Sequence, residues 1–212
     1  MNSIDDLARS RIVPVIVIDD VGKAPDLAAA LDAGGIRCAE ITLRTATGIE
    51  AIRAIADAHP GFTVGAGTVL TVDQVDRVAD AGARFVVSPG LEVAVVDHAR
   101  ERGLPAVPGI ATATELQRAV SAGLERVKFF PAESLGGIAA IEALSGPFPD
   151  IRFLPSGGVS ASNAPAYLAS PAVFAVSGSW MAPRELIASA DWDEISQRSA
   201  AAVSLLTGSS VR

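Results

Sequence analysis

Short β-branched runs alternate with amphipathic helical stretches along the whole chain, and this alternation limits the possible folds more than any other feature. The first run, residues 13–18, is continuously apolar, as is typical of a parallel strand covered on both faces. A helical pattern follows it, with Pro25 in its predicted first turn and Gly34 and Gly35 as its stop. Seven further strand-like segments cover residues 38–43, 63–68, 85–88, 105–108, 126–130, 152–155 and 173–177.

Eight strand–helix units in 212 residues predict a (β/α)8 TIM barrel, with a doubly wound open sheet as the alternative. No linker or composition shift divides the chain, so we expect one domain over residues 1–212. A short helix is predicted before the first strand, over residues 3–10, and an extra C-terminal helix over residues 191–206. Four prolines, at positions 14, 105, 108 and 155, indicate short strands, because proline cannot donate a ladder hydrogen bond.

Charge and hydropathy exclude several classes of function. The net charge of −7 argues against a nucleic-acid or anionic-membrane partner, which would usually require a basic surface. No apolar run reaches the ~18 residues of a membrane span, and residues 1–11 lack a signal-peptide core, so we expect a cytoplasmic protein. The single cysteine, Cys38, excludes an internal disulfide and is predicted to be a small buried hydrophobic residue.

Lys128 is one of only two lysines among seventeen basic residues, and it lies within an apolar run between Val127 and Phe129. Burial disfavours the charged form of lysine, and the neutral amine is a nucleophile that can attack a carbonyl and form an imine. The alternative is a strand lysine whose ammonium group simply extends to solvent. The sequence pattern around this lysine leaves both interpretations open.

The second predicted strand carries polar residues at every other position. Glu40, Thr42 and Arg44 share one face of this strand, and their apolar neighbours share the other face. In a barrel the polar face would point inward near the C-terminal ends of the strands, where catalytic groups gather. A buried carboxylate and guanidinium are costly unless they are paired or bind a ligand, so a structural Glu40–Arg44 ion pair is the alternative to a binding site.

The third predicted strand ends in a glycine-rich segment, and glycine-bearing loops follow the seventh and eighth predicted strands. Thr68 ends the sequence Gly-Ala-Gly-Thr, where absent side chains would leave room at the mouth of a barrel. Ser156, Gly157 and Gly158 follow the seventh strand, and Gly178 with Ser179 follows the eighth. These last two positions form the usual phosphate site of a barrel, although either loop alone could be an ordinary turn.

Metal and nucleotide sites find no support in the sequence. The two histidines, His59 and His98, have no metal-ligand partner at a suitable spacing near a strand end. No Walker loop or dinucleotide-binding glycine motif follows the first strand. We therefore predict no metal and no cofactor.

Several motifs, in order and at separate strand ends, resemble one enzyme family. They are Glu40-Ile41-Thr42-Leu43-Arg44-Thr45, Gly65-Ala66-Gly67-Thr68-Val69, Ser88-Pro89-Gly90, Lys128-Phe129-Phe130-Pro131-Ala132-Glu133, Ser156-Gly157-Gly158-Val159 and Ser177-Gly178-Ser179-Trp180. Over nearly its whole length the chain resembles the bacterial 2-dehydro-3-deoxy-phosphogluconate (KDPG) aldolases, also called 4-hydroxy-2-oxoglutarate (KHG) aldolases. The resemblance implies a homotrimeric class I aldolase of the Entner–Doudoroff pathway. It would cleave KDPG to pyruvate and glyceraldehyde 3-phosphate, and its activity on KHG would give pyruvate and glyoxylate.

The resemblance also implies a role for each site residue. Lys128 corresponds to the Schiff-base lysine and Glu40 to the general acid and base, while Arg44 and Thr68 would hold the pyruvyl carboxylate. The other substrate-binding residues that it implies are Pro89, Phe130, Ser156, Gly157, Gly158, Gly178 and Ser179.

One position departs from the family pattern and leaves the substrate open. The best-known members carry threonine at the position of Ser156, so the hydroxyl is retained here but a methyl group is lost. An aldolase for the galactonate epimer of KDPG is therefore an alternative. Two other classes also remain: a sugar-phosphate isomerase or epimerase barrel that uses Glu40 as a base, and a barrel that binds metabolites without catalysis.

Overall fold

The structure is a computed structural model that describes residues 3–207, and its strands are short and parallel. The strands are β1 (Ile12–Ile16), β2 (Cys38–Thr42), β3 (Thr63–Gly67), β4 (Val86–Val87), β5 (Ala106–Val107), β6 (Gly109–Ile110), β7 (Arg126–Phe129), β8 (Arg152–Pro155) and β9 (Val176–Gly178). The helices are α1 (Ser3–Ser10), α2 (Ala24–Ala33), α3 (Gly48–Ala58), α4 (Val72–Asp80), α5 (Val93–Glu101), α6 (Ala113–Ser121), α7 (Gly137–Ser145), α8 (Ala164–Ala169), α9 (Arg184–Ser189) and α10 (Trp192–Thr207). The predicted N-terminal and C-terminal helices are both present.

The strands form two parallel sheets. A six-stranded sheet has the order β5-β4-β3-β2-β1-β9, and a three-stranded sheet has the order β6-β7-β8. Two isolated parallel bridges, Phe153 with Val173 and Ser156 with Ser177, connect the β8 region to the β9 region. The chain is thus an α/β protein with curled parallel sheets, which confirms the predicted class.

The prediction of one strand over residues 105–108 is wrong in detail. Two strands of two residues each, β5 and β6, lie on either side of Pro108. Pro108 has no N–H to donate, but its carbonyl accepts a hydrogen bond from the Lys128 N–H at 2.8 Å. The predicted eighth strand, residues 173–177, also shifts, because only Val176 and the two residues after it form β9.

Apolar side chains that point inward from the strands form a floor beneath the C-terminal ends of the sheets. Leu7 of α1 is fully buried and packs in this cluster with Val13, Phe85 and Leu154. Cys38 belongs to the same cluster and is 1% exposed, as predicted for a small buried residue. Burial raises the pKa of the Cys38 thiol to about 12, so it remains a neutral thiol rather than a reactive thiolate.

Local sequence signals position the helices that follow the strands. A capping box begins α6, since Thr112 and Glu115 each accept a hydrogen bond from the other's backbone N–H. At the start of α4, Thr71 accepts from the Gln74 N–H, but the Gln74 side chain accepts from Leu70 instead. Within residues 3–207, no helix is long and apolar enough to cross a membrane.

Candidate active site

Lys128 and Glu40 meet in the interior, at the C-terminal ends of the strands. Lys128 comes from β7 and Glu40 from β2, and the distance from Lys128 Nζ to Glu40 Oε1 is 3.4 Å. Lys128 is only 6% exposed and Glu40 is fully buried. The lysine therefore does not extend its ammonium group to solvent, and that alternative interpretation is wrong.

A glycine in the neighbouring strand makes room for the carboxylate. A Cβ atom at Gly67 would lie 2.1 Å from Glu40 Oε1. Glu40 Oε1 is the oxygen nearest Lys128, whereas Glu40 Oε2 is buried and has no hydrogen-bond partner among the described residues. An unpartnered buried oxygen is costly, and one beside a pocket is available to accept a proton from a bound molecule.

Arg44 lies just beyond the end of β2 and lines the same pocket. Its Nε donates to Thr42 Oγ1 at 3.3 Å, and the Thr42 hydroxyl in turn donates to the Ile16 carbonyl at 2.8 Å. Within the described part of the chain, Arg44 forms no ion pair. The alternative of a structural Glu40–Arg44 pair is therefore wrong, and the guanidinium can bind a planar carboxylate through two parallel hydrogen bonds.

Thr68 adopts a backbone conformation that is rare for its residue type. Its φ of +60° lies in the left-handed region, which a β-branched side chain seldom occupies without a structural or functional reason. The next residue, Val69, donates its N–H to the Val87 carbonyl at 3.1 Å and so holds the turn in place. Thr68 lies at the pocket wall, where its hydroxyl can bind a ligand.

The glycines in the loop after β8 and at the end of β9 make close contacts that side chains would block. Gly157 and Gly158 have φ values of +90° and +83°. A Cβ atom at Gly157 would lie 3.1 Å from Pro131 Cα, and one at Gly178 would lie 2.4 Å from the Trp180 ring. Because these residues expose backbone rather than side chains, the loops can present N–H groups to an anion.

All eleven residues predicted for the site line one pocket of about 300 Å³. The Phe130 ring forms part of its wall, with the ring centre 5.2 Å from Lys128 Nζ. Val15 and Val159 also line the pocket and were missed, although the alternation along β1 could have indicated Val15. A larger groove of about 570 Å³ lies at the N-terminal ends of β5 and β7, away from this group of residues.

The described residues contain no cluster of three or more histidine, cysteine, aspartate or glutamate side chains arranged to hold a metal ion. The pocket instead combines an amine, a carboxylate and a guanidinium with two glycine loops. This set defines an enzyme class that can attack a carbonyl, transfer protons and hold an anion at each end of a substrate.

Comparison with known proteins identifies the family. The family described as "Aldolase: KDPG and KHG aldolase" matches residues 4–198. A 2-dehydro-3-deoxy-phosphogluconate aldolase from Treponema pallidum is 48% identical over 89% of this chain and 90% of its own length. The KHG/KDPG aldolase of Escherichia coli is 44% identical over 93% of this chain and 92% of its own length.

A solved structure agrees with these matches. The KDPG aldolase from Legionella pneumophila, with pyruvate captured as a covalent carbinolamine intermediate, is 39% identical. It superposes with a TM-score of 0.91 over 95% of this chain and 98% of that chain. The chain described here belongs to the KDPG and KHG aldolase family.

Proposed function

We propose that this chain is a class I aldolase that cleaves KDPG to pyruvate and glyceraldehyde 3-phosphate, and KHG to pyruvate and glyoxylate. The observation that carries this proposal is the buried Lys128 amine, 3.4 Å from the Glu40 carboxylate at the wall of a pocket. Family membership supports the same reaction.

We assign the pyruvyl end of the substrate to Arg44 and Thr68. The Arg44 guanidinium would bind the carboxylate bidentately, and the Thr68 hydroxyl would donate to one of its oxygens. The phosphate end is assigned to the backbone and hydroxyl groups of three residues, Gly157, Gly158 and Ser179, in the loops after β8 and β9. Pro89 and Phe130 would form walls between the ends, with Ser156 and Gly178 completing the lining.

The reaction begins with imine formation. Glu40 takes a proton from Lys128, and the neutral amine attacks the C2 carbonyl to give a carbinolamine. Return of that proton to the carbinolamine hydroxyl lets water leave and forms a protonated imine. Glu40 is near enough to relay the protons that these steps release and consume. The positive imine nitrogen then acts as an electron sink for the bond that must break.

The same two residues carry out cleavage of the C3–C4 bond and release of pyruvate. Glu40, directly or through one water, takes the proton of the C4 hydroxyl, the C3–C4 bond breaks, and its electron pair moves into the imine to give an enamine. The aldehyde product leaves. Glu40 returns a proton to C3, and hydrolysis of the resulting imine releases pyruvate and restores the Lys128 amine.

Trapping with borohydride tests the mechanism directly. Incubation with pyruvate and borohydride should attach one reduced pyruvyl group at Lys128, and mass spectrometry of peptides locates it. Lys23, the only other lysine, is the internal control, and its Nζ donates to the Ala188 carbonyl instead. The Lys128→Ala variant should take up no label and lose cleavage activity by many powers of ten. Label at Lys23, or an active but unlabelled protein, would contradict the proposal.

Substrate preference depends on the loop after β8. We propose a preference for KDPG over its galactonate epimer, because Ser156 keeps the hydroxyl that can bind the sugar chain. A coupled assay for released pyruvate, run in parallel with KDPG, the galactonate epimer and KHG, measures the preference. A higher kcat/KM for the galactonate epimer would reassign the enzyme to that substrate.

We also propose that the two sheets close into one (β/α)8 barrel that makes a single domain. The first strand, β1, pairs with the last, β9, and β5 leads directly into β6 across Pro108. The two bridges between the β8 and β9 regions support closure on the other side. Urea unfolding followed by circular dichroism and by tryptophan fluorescence should give one coincident transition, whereas two transitions would indicate separate units.

We propose that the protein is a homotrimer and that it is located in the cytoplasm. Leu70 is 53% exposed, and Val72 and Val93, which begin the packed helices α4 and α5, are 38% and 41% exposed. Exposed apolar residues on neighbouring elements are typical of an interface. Sedimentation velocity should give the mass of three chains, and a Leu70→Asp/Val93→Asp double variant should dissociate while Val120→Asp on α6 should not.

A further inference from the structure

The loop after β7 and the loop after β8 remain bonded to each other beyond the ends of their strands. The Ala132 N–H donates to the Ser156 carbonyl at 2.7 Å, and the Glu133 N–H donates to the Gly157 carbonyl at 3.1 Å. These bonds extend the ladder between β7 and β8, in which Lys128 is paired with Leu154. The glycine loop is therefore held at a fixed distance from the strand that carries the lysine.

The Glu133 side chain packs directly against the second glycine of that loop. A Cβ atom at Gly158 would lie 2.6 Å from both Cβ and Cγ of Glu133. Gly158 also has a φ of +83°, so its backbone takes a course that only glycine adopts easily. Because there is no room for a side chain between them, the Gly158 backbone lies directly against Glu133, and Glu133 helps to position it.

Tyr167 of α8 holds the Glu133 carboxylate in place through a hydrogen bond. It is 1% exposed, and its hydroxyl donates a hydrogen bond to Glu133 Oε1. Burial, followed by the neighbouring Glu133 carboxylate, raises the pKa of the Tyr167 phenol, so it stays a neutral donor. Neither Glu133 nor Tyr167 lines the pocket itself.

Asn163, at the start of the same helix, also holds the glycine loop after β8. Its Nδ2 donates to the Gly158 carbonyl at 3.0 Å, and its Oδ1 accepts from the Ser160 N–H at 2.8 Å. Helix α8 thus contacts the glycine loop at two points, through Asn163 and through Tyr167 with Glu133. The loop is held between α8 and the extension of β7.

We infer that Glu133 and Tyr167 are positioning residues that set the distance between the phosphate-binding backbone of Gly157 and Gly158 and the imine-forming amine of Lys128. They touch neither the substrate nor the reacting atoms. The inference rests on the proposed function, because it assigns the glycine loop to the phosphate. It implies that loss of the Tyr167 hydroxyl harms binding of a phosphorylated substrate but leaves chemistry on pyruvate intact.

Replacing Tyr167 by phenylalanine removes the hydroxyl and little else. We expect KM for KDPG to rise about tenfold, the equivalent of one hydrogen bond to a charged group, while kcat changes by less than about twofold. Exchange of the pyruvate methyl protons in heavy water, followed by NMR, uses Lys128 and Glu40 but no phosphate. Its rate should be the same in Tyr167→Phe as in the wild type.

Two variants of Glu133 complete the test. Glu133→Gln keeps an acceptor for Tyr167 and the packing on Gly158, so KM for KDPG should stay within about threefold of the wild-type value. Glu133→Ala loses both contacts and should raise KM at least as far as Tyr167→Phe. Ser199→Ala is the matched control, because it removes a buried hydroxyl on α10 that has no hydrogen-bond partner among residues 3–207. It should change neither the KM for KDPG nor the rate of pyruvate proton exchange.

Several results would overturn the inference. An equal loss of KDPG cleavage and pyruvate exchange in Tyr167→Phe would show a general structural role, and an unchanged KM in both Tyr167→Phe and Glu133→Ala would show no role. Failure of the proposed function gives a different result, since the wild type itself would then neither exchange pyruvate protons nor form the borohydride adduct.

Discussion

The Lys128–Glu40 pair is almost completely removed from water, and such a pair seldom adds net stability. Desolvating two charges costs several kcal/mol, and the attraction between them repays this only with good geometry and further hydrogen bonds. Here the distance is 3.4 Å and Glu40 Oε2 has no partner among the described residues. The pair is therefore better explained by the chemistry it performs than by stability.

Glu40→Gln should separate imine formation from proton transfer. The amide has the same shape but cannot take a proton from the C4 hydroxyl, so kcat for KDPG cleavage should fall by about 10²–10⁴-fold. Lys128 is still present, so borohydride with pyruvate should still label it, although more slowly, because Glu40 also relays protons during imine formation. A variant that retains most of its kcat would assign the proton transfer to another group.

Gly67→Ala should disturb catalysis without replacing a catalytic side chain. The new methyl group would lie 2.1 Å from Glu40 Oε1 and so must displace the carboxylate. Because a misplacement of about 1 Å can cost about 100-fold in rate, we expect a fall in kcat of that order. Gly61→Ala is the matched control, since a Cβ atom there meets nothing within 4 Å, and its kcat should match the wild type.

Individual residues differ in how far the sequence could predict them. Alternation along β2 put Glu40 and Thr42 on the face that lines the pocket, because side-chain direction in a strand follows from position alone. Arg44 lines the same pocket although it lies beyond the end of the strand. The contact between Tyr167 and Glu133 could not be predicted, since it joins residues 34 positions apart through the packing of α8. The left-handed conformation of Thr68 was also missed, because threonine gives no local signal for it.

Among the elements, the interrupted fifth strand shows why the boundaries were harder to predict than the elements themselves. Residues 105–108 have the composition of a strand, but proline cannot donate to the ladder, and pairing changes from β4 to β7 on either side of Pro108. The sequence predicted a short strand at this position. It could not predict the change of partner, which depends on how the sheets curl around the apolar floor.

Helix α1 should contribute to stability by covering that floor. Leu7 is fully buried there, so Leu7→Ala should lower the free energy of unfolding by about 2–5 kcal/mol, as for other large-to-small changes in a core. Val120→Ala, at a position 47% exposed, should change it by no more than about 0.5 kcal/mol. Urea unfolding measures both, and a Leu7→Ala value as small as the control would show that α1 does not close the floor in solution.

The stability of the whole molecule should depend on pH through a charged network that joins α4 to α5. His98 Nε2 lies 2.9 Å from Asp76 Oδ1, and His98 Nδ1 lies 3.3 Å from Glu101 Oε2. The hydrogen bond with Asp76, aided by the charges of both carboxylates, raises the pKa of His98 above its ordinary value of 6.5. His98 likewise lowers the pKa of Asp76 below 3.8, with Arg102 adding to the effect.

These shifts fix the direction of the pH dependence. Because the folded pKa of His98 is raised, its contribution is fully present below pH 6.5 and is lost as the pH rises through the folded value. Because the folded pKa of Asp76 is lowered, its contribution is present above pH 3.8 and is lost as the pH falls through the folded value. The pair should therefore stabilise the protein most between pH 3.8 and pH 6.5, the ordinary pKa values of the two groups.

Replacing His98 by glutamine tests this dependence. Urea unfolding at low salt, at about pH 5.5, 7 and 8.5, should show that His98→Gln is less stable than the wild type at the lowest pH, with a difference that shrinks as the pH rises. His59→Gln, at the end of α3 and outside the network, serves as the control for loss of a histidine side chain. Added salt should reduce the stability difference between His98→Gln and the wild type, because the network is partly exposed and salt screens its charges. A difference that stays constant across the three pH values would mean that His98 stabilises the α4–α5 contact by packing alone.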